Sequence, residues 1–228
     1  KVATGRDHSC AILSDKTVKC WGRGSNGQLG NGSSTYTQTT PVVVSNLTSV
    51  KDIDLASSHS CAVQDNGSVT CWGNNGNGQL GDGTQTGRYT PVSVSGITSA
   101  TQISAAYASS CAVLSDGTIK CWGLGNQNSF GRGNDENSMV LVTIPNISGA
   151  IHTSLAGSWG GGNCAILSGG SAKCWGDSRY TWLGDGNDKS SGKSLIPVSV
   201  SGLNNVTQIV TSKKHSCALI SGGSVKCW

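Results

Sequence analysis

One pattern recurs five times and constrains everything else: a cysteine, nine intervening residues, a second cysteine, then tryptophan. The first copy is His8-Ser-Cys-Ala-Ile-Leu-Ser-Asp-Lys-Thr-Val-Lys-Cys-Trp-Gly22. The first cysteines, Cys10, Cys61, Cys111, Cys164 and Cys217, stand 51, 50, 53 and 53 residues apart. All ten cysteines and five of the seven tryptophans belong to these units, so the chain is a repeat array whose members share one local structure. A period near fifty is that of a propeller or a solenoid.

Each copy reads as a β-hairpin. Ser14-Asp-Lys16, Asp65-Asn-Gly67, Ser115-Asp-Gly117, Ser168-Gly-Gly170 and Ser221-Gly-Gly223 separate two short apolar runs, and four of the five triplets end in Gly. That composition suits a type I turn closed by a left-handed residue in a G1 bulge, with Lys16 carrying a small strain. The turn sets the register: Leu13 opposite Thr17, Ile12 opposite Val18, Cys10 opposite Cys20. With Leu13 and Thr17 as the hydrogen-bonded closing pair, alternation makes the cysteines a non-hydrogen-bonded pair, whose Cα atoms approach to about 4.5 Å, within disulfide range. The spacing thus predicts cross-strand disulfides Cys10 to Cys20, Cys61 to Cys71, Cys111 to Cys121, Cys164 to Cys174 and Cys217 to Cys227. The alternatives are buried thiols and a metal site, and no close Cys-x-x-Cys or Cys/His spacing supports a metal. Disulfides imply an oxidising compartment, and an extracellular or cell-surface location is expected.

The rest of each period supplies two more strands. Before the hairpins, Val50-Lys-Asp-Ile-Asp-Leu-Ala56, Ala100-Thr-Gln-Ile-Ser-Ala-Ala106 and Val206-Thr-Gln-Ile-Val-Thr-Ser212 alternate as strands do, and residues 1–5 match them. After the hairpins come loops with Gly27-Gln-Leu-Gly30, Gly78-Gln-Leu-Gly81, Phe130-Gly131 and Trp182-Leu-Gly184, whose Leu or Phe reads as a plug under the loop. Polar tips of varying sequence follow, then Pro41-Val-Val-Val, Pro91-Val-Ser-Val and Pro197-Val-Ser-Val, with Leu141-Val-Thr-Ile in the third unit. A fourth strand starting at the proline is expected, tolerable at a sheet edge. Four short strands per period make a propeller blade. The expected fold is all-β, with about four and a half repeats in units of roughly 1–49, 50–99, 100–149, 150–205 and a partial 206–228. Five hairpins stand against four loop-plus-strand segments, so the expectation is one segment of a longer chain. Since no blade buries both faces alone, blades must stack. The interblade core is expected to hold the tryptophans with Ile12, Val18, Val63, Val69, Ile119, Ile166 and Leu219.

The succession His8-Ser-Cys-Ala with Val18-Lys-Cys-Trp-Gly22, then Asn26-Gly-Gln-Leu-Gly30, then Thr40-Pro-Val42, repeated over nearly the whole chain, resembles the regulator-of-chromosome-condensation repeat family. The resemblance implies a β-propeller, commonly of seven blades. Nuclear members of that family exchange guanine nucleotides and bind chromatin, but the paired cysteines make this chain more similar to secreted, cysteine-bearing versions of the repeat. Fold does not fix function here.

The chemistry-bearing residues are sparse. His8, His59 and His215 each precede a first cysteine by two, where Ser109 and Gly162 stand in the other units, and a residue repeated at one structural position reads as scaffold. His152 reads as packing or surface. No carboxylate pair, Ser-His-Asp order, phosphate loop or cofactor motif is placed, so an enzyme is not expected. The net charge of +4 is scattered, without a basic stripe. Lys19, Lys120, Lys173 and Lys226 recur beside the second cysteine as snorkelling strand residues, and no nucleic-acid partner is expected. No segment has the apolar length to span a membrane. The acidic tips Asn134-Asp-Glu136 and Asp185-Gly-Asn-Asp188 read as solvated loops, with weak calcium binding as the alternative. The fourth unit inserts Gly157-Ser-Trp-Gly-Gly-Gly162 and adds Tyr180 and Trp182. These loop aromatics, Trp159 foremost, are either ligand anchors or covers for a blade end. Asn31, Asn46, Asn66, Asn146 and Asn205 begin Asn-x-Ser/Thr sequons, candidate glycan sites in a secretory eukaryote. The expected role is an extracellular structural or binding module in a secreted or surface assembly. The alternative is a soluble domain recognising carbohydrate or protein.

Overall fold

A computed structural model describes residues 1–125, 130–134, 136–156, 161–177, 183–186, 193–212 and 214–228. All regular structure in them is strand. The order is β1 (Val2–Thr4), β2 (His8–Ile12), β3 (Val18–Arg23), β4 (Thr37–Val43); β5 (Val50–Leu55), β6 (His59–Gln64), β7 (Val69–Gly73), β8 (Arg88–Ser93); β9 (Ala100–Ala106), β10 (Ser109–Leu114), β11 (Ile119–Gly123), β12 (Ser138–Thr143); β13 (Ala150–Ser154), β14 (Gly162–Leu167), β15 (Ala172–Asp177), β16 (Lys193–Ser199); β17 (Val206–Thr211), β18 (Ser216–Ile220), β19 (Val225–Cys227). Each group is an antiparallel meander, giving four four-stranded sheets and one of three strands. The first strands β5, β9, β13 and β17 pack side by side in succession, which makes them the innermost strands of a propeller.

The hairpins have the expected register. Cys10 faces Cys20, and Ile12 faces Val18. Leu13 N–H donates to the Thr17 carbonyl at 2.9 Å, and Lys16 N–H to the Leu13 carbonyl at 3.0 Å. Lys16 has φ 62°, and Gly67, Gly117, Gly170 and Gly223 occupy the same left-handed position. Asp15 and Asp116 reinforce their turns by accepting the backbone and hydroxyl protons of Thr17 and Thr118. All five cysteine pairs are joined as disulfides, with Cα atoms 4.0 to 4.1 Å apart.

The outer strands correct one expectation. β4, β8 and β16 start several residues before the proline, which lies inside the strand rather than at its head. Cys20 pairs with Val42 and Gly22 with Gln38, so Trp21 faces three residues, Thr39, Thr40 and Pro41. The same bulge recurs in the next three sheets. Within a bulge no ladder donor is missed, so proline costs nothing there, and Leu141 takes the same place.

The cores lie between sheets. The first gathers Cys10, Val18 and Cys20 from one sheet, Ile53, Ala62 and Trp72 from the next, and Leu29 from the intervening loop. The second repeats this with Cys61, Val63, Val69, Cys71, Leu80, Ile103, Ala112 and Trp122. The third uses Ile119, Phe130 and Trp175, the fourth Ile166, Leu183 and Ile209. The loop plugs therefore fill interblade space. Ile12 packs at the edge of the first core. Leu219 departs from expectation: it is half-buried, opposite Val225, which is 62% exposed. Both lie on the outer face of the fifth sheet, against which no other sheet packs among the described residues.

The first four disulfides are fully buried in these cores. Closing so short a loop stabilises by about 2–3 kcal/mol on the chain-entropy model. Replacing Cys111 and Cys121 together by serine is therefore expected to lower unfolding stability by at least about 2 kcal/mol, since the loop is no longer closed and two hydroxyls are buried in an apolar core. Urea midpoints check this, and a loss no larger than that of an exposed substitution would contradict it.

Candidate functional site

The histidines, serines, glutamines and tryptophans of successive blades form one repeated contact. His8 Nε2 lies 2.8 Å from Ser60 Oγ. Ser60 Oγ donates to the Gln28 carbonyl at 2.9 Å. Trp72 Nε1 donates to that same carbonyl at 2.8 Å. One blade further on, His59 Nε2 lies 2.9 Å from Ser110 Oγ, Ser110 Oγ donates to the Gln79 carbonyl at 3.0 Å, and Trp122 Nε1 donates to it at 2.8 Å. Because each serine spends its only proton on a carbonyl, the imidazole must donate from Nε2, which leaves Nδ1 bare. Burial lowers the pKa of His8 to about 4, and burial together with the like charge of His8 lowers that of His59 to about 3. Both rings are neutral at pH 7 and serve as scaffold.

The Gly-Gln-Leu-Gly loop is built to offer that carbonyl. Gln28 Oε1 accepts from Asn26 N–H at 2.8 Å and Gln79 Oε1 from Asn77 N–H at 2.9 Å, so each glutamine closes its own loop. Leu29 and Leu80 enter the core beside it. Gly30, at φ 68°, lies so close to Trp72 that a Cβ would stand 2.8 Å from its Nε1, and Gly81 repeats this against Trp122. Nothing in the hairpin argument points to Gln28, Gln79, Ser60 or Ser110, although their recurrence at fixed offsets from the cysteines carries the signal. In the fourth sheet Asn163 replaces the serine and accepts from Ala156 N–H at 3.0 Å. His215 finds a partner that His8 and His59 lack: Ser212 Oγ lies 3.0 Å from its Nδ1, where Gly5 and Ala56 occupy the corresponding place.

A second repeated contact ties the inner strands. Each is the edge of its sheet, and its outward N–H groups need acceptors. Asp52 and Asp54 accept from Ile103 and Ala105 N–H at 3.0 and 2.8 Å. Gln102 and Ser104 accept from Thr153 and Leu155 N–H, each at 3.1 Å, and Ser154 accepts from Thr211 N–H at 3.1 Å. Lys1 pairs with Asp52. Burial raises the Asp54 pKa to about 6, against the pull of the Ala105 and Leu55 amides. His152 is half-buried at the position of Gln102, and burial lowers its pKa.

Two of the four strand lysines reach the preceding blade: Lys173 Nζ donates to the Asn146 carbonyl at 2.7 Å and Lys226 Nζ to the Gly202 carbonyl at 3.1 Å. Asn46, Asn146 and Asn205 are exposed turn residues with φ of 54°, 59° and 55°, a backbone reason for asparagine independent of glycans. Asn31 and Asn66 accept from Ser33 and Ser68 N–H within their own turns. Asn134 Nδ2 donates to Glu136 at 3.1 Å, and Arg132 lies 3.5 Å from that carboxylate. Trp159, Tyr180, Trp182, Asp135 and Asp188 lie outside the described residues. Among the described residues no cluster of three His, Cys, Asp or Glu side chains has a metal-binding arrangement.

The loop face is the variable part. The tips of the first three blades differ: Arg23 lies over Tyr36 at 5.5 Å; Asp82 is held by Arg88 at 2.9 Å, Asn75 at 3.0 Å and Thr84 at 2.7 Å; and the third carries Arg132 and Glu136.

Constant clasps beneath diverging tips define a repeat β-propeller. The model of the regulator of chromosome condensation (RCC1) repeat matches residues 17–63, 66–113 and 170–219, and a second model of the same repeat matches 1–28 and 50–79. The chain belongs to the RCC1 repeat family. Among curated proteins it is 38% identical over 90 residues to the human E3 ubiquitin-protein ligase HERC2, a match covering 38% of this chain and 2% of that protein. Among solved structures it is similar to human WBSCR16, with TM-score 0.84 and 20% identity over all of this chain and 61% of that one. It is similar also to Prp20p of Saccharomyces cerevisiae, with TM-score 0.83 and 19% identity over all of this chain and 57% of that one, in a study of binding to Gsp1p and histones. The chain thus spans a small part of HERC2 and under two thirds of either structure.

Two outcomes follow from the clasp. Gly30→Ala is expected to destabilise by about 2 kcal/mol or more, combining positive-φ strain with a collision against Trp72. Gly83→Ala, also at positive φ but with nothing within 4 Å, should lose only the strain, about 1 kcal/mol; equal losses would contradict the clasp. The histidines set the pH response. Their folded pKa values lie below the unfolded 6.5, so the unfolded chain binds more protons, and stability falls as pH drops below 6.5 until it passes 4 for His8 and 3 for His59. The slope is about 1.4 kcal/mol per pH unit for each ring. Asp54, raised to about 6, acts with opposite sign: its contribution is full below its unfolded 3.8 and is lost as pH rises through about 6. His59→Gln should flatten the acid limb of stability measured in urea at pH 7, 5.5 and 4.5; an unchanged limb would contradict the buried neutral imidazole.

Proposed function

We propose that this chain is a protein-binding scaffold module working in an oxidising, extracellular or cell-surface setting, where its rigid blades present the loop face to other subunits. The observation that carries the proposal is the division within each repeat. Gln28 and Gln79, Ser60 and Ser110, and Trp72 and Trp122 keep one geometry. The tips above them share neither charge nor aromatic content. Such a division suits binding by loops on a rigid frame. The protein-binding part draws support from Prp20p, whose structure was reported with binding to Gsp1p and histones. The oxidising setting draws support from the disulfides, four of which are buried between blades. Disulfides form and persist in oxidising environments and are rare where thiols are kept reduced.

Cross-linking mass spectrometry with a residue-unselective photoreactive reagent, needed because the loop segments hold no lysine, tests both parts on protein isolated from the extracellular fraction of its source. No cysteine should alkylate before reduction, all ten should afterwards, and partner cross-links should concentrate in residues 23–36, 74–87 and 124–137. Thiols that alkylate without reduction would contradict the oxidising setting. Cross-links confined to the hairpin-turn face would contradict the loop-face assignment.

A further inference from the structure

We propose that the axial end of the loop face holds a pocket for one glutamate side chain of a protein partner. This rests on the binding-module reading and names a subsite within it. Strands β1, β5 and β9 end together, and the turns after them, Gly5-Arg-Asp7, Ala56-Ser-Ser58 and Ala106-Tyr-Ala108, surround a cavity of about 170 Å³. Its floor includes Leu55, Ala56, Ala105 and Ala106, all buried, and its rim includes Arg6 and Tyr107.

The cavity exists because the first residue of each turn is small. The corresponding residue of the fifth sheet is Ser212, whose hydroxyl turns to His215. Gly5 cannot be larger, since a Cβ there would stand 2.4 Å from the Ala56 carbonyl oxygen. Tyr107 adds a sign of function. Its φ is 44°, a region uncommon for an aromatic residue, and the residue stays 40% exposed. Neither Arg6 nor Ser57 at the corresponding turn position takes this conformation. Backbone strain held at a cavity rim points to a role for the side chain it places there.

Size and chemistry select the occupant. The cavity is below the range that holds a cofactor or drug-sized ligand, and it fits a single side chain. Four apolar floor residues favour methylene groups, and the rim carries the Arg6 cation, while the nearby Asp54 carboxylate is already engaged by the Ala105 amide. The Arg6 side chain is 75% exposed, and its contact with Asp7 is long, at 3.9 Å. Asp7 also lies 3.5 Å from Arg23, so the Arg6 guanidinium retains donors for an incoming carboxylate. Glutamate supplies two methylenes for the floor and a carboxylate for the rim, and aspartate is one methylene too short.

The test is a heteronuclear NMR titration of the labelled 228-residue chain with acetyl-Gly-Gly-Glu-Gly-Gly-amide and its Gln and Asp counterparts. The Glu peptide should shift the amides of Arg6, Ala56, Ala106 and Tyr107 most. The Gln peptide, and the Glu peptide on Arg6→Gln, should bind about fivefold more weakly, as loss of one partly exposed ion pair requires. Ala56→Leu, filling the floor, should abolish the shifts, while Lys16→Gln on the opposite face should leave them unchanged. Equal binding of the Glu and Gln peptides, or an unchanged Kd on Arg6→Gln, would overturn the pocket. So would the absence of shifts in these turns. Shifts confined to residues 23–36 or 74–87 would overturn the pocket yet leave the loop-face reading standing, because that reading fails only on the cross-linking pattern.

Discussion

A four-stranded blade has two apolar faces and two exposed edges, and it cannot stand alone in water. The structure answers with a single acceptor, the carbonyl of Gln28 or Gln79, which takes one proton from the tryptophan and one from the serine of the following blade. That carbonyl fixes where the next blade sits. The serine then holds the histidine of the preceding hairpin, so three segments from two blades converge on one point. Beside it, the absent side chain of Gly30 or Gly81 lets the indole approach the loop backbone.

Energy and position come from different sources. Neutral hydrogen bonds contribute about 1 kcal/mol each, so one clasp supplies only a few kcal/mol. Burial of a large apolar side chain contributes about 1.5–3 kcal/mol. Each interblade core gathers a tryptophan, several Ile, Leu or Val residues and a disulfide, so burial dominates. Apolar surfaces slide easily past one another, whereas the clasp and the inner-strand contacts of Asp52, Asp54, Gln102 and Ser104 have only one geometry. The clasps set register, the cores supply stability, and the loop tips remain free to differ.

Much of this is legible in the sequence because the repeat presents each local rule several times. The cysteine spacing and the glycine ending four of five turn triplets specify the hairpin register, since both follow from backbone geometry within one short segment. Leu29, Leu80 and Phe130 are recognisable as plugs. The interblade contacts are less legible. Ser60 and Gln28 meet across 32 residues through a backbone carbonyl that every residue type possesses. The bulge that houses Pro41 depends on pairing between β3 and β4, and the sequence of one strand alone suggests proline at its head. Leu219 looks like a core residue by periodicity, but its exposure depends on what lies against its sheet. The loop aromatics Trp159, Tyr180 and Trp182 lie outside the described residues, while the pocket framed by Arg6 and Tyr107 arises from three small residues contributed by three different blades.

The central claim is that indole–carbonyl clasps lock successive blades together. Hydrogen exchange of the indole N–H protons, followed by NMR, tests it most directly. The account predicts that the protons of Trp72 and Trp122 exchange only on global unfolding, while that of half-buried Trp21 exchanges much faster. Equally fast exchange at Trp72, Trp122 and Trp21 would mean that the clasps open locally, and that the blades are held by packing alone.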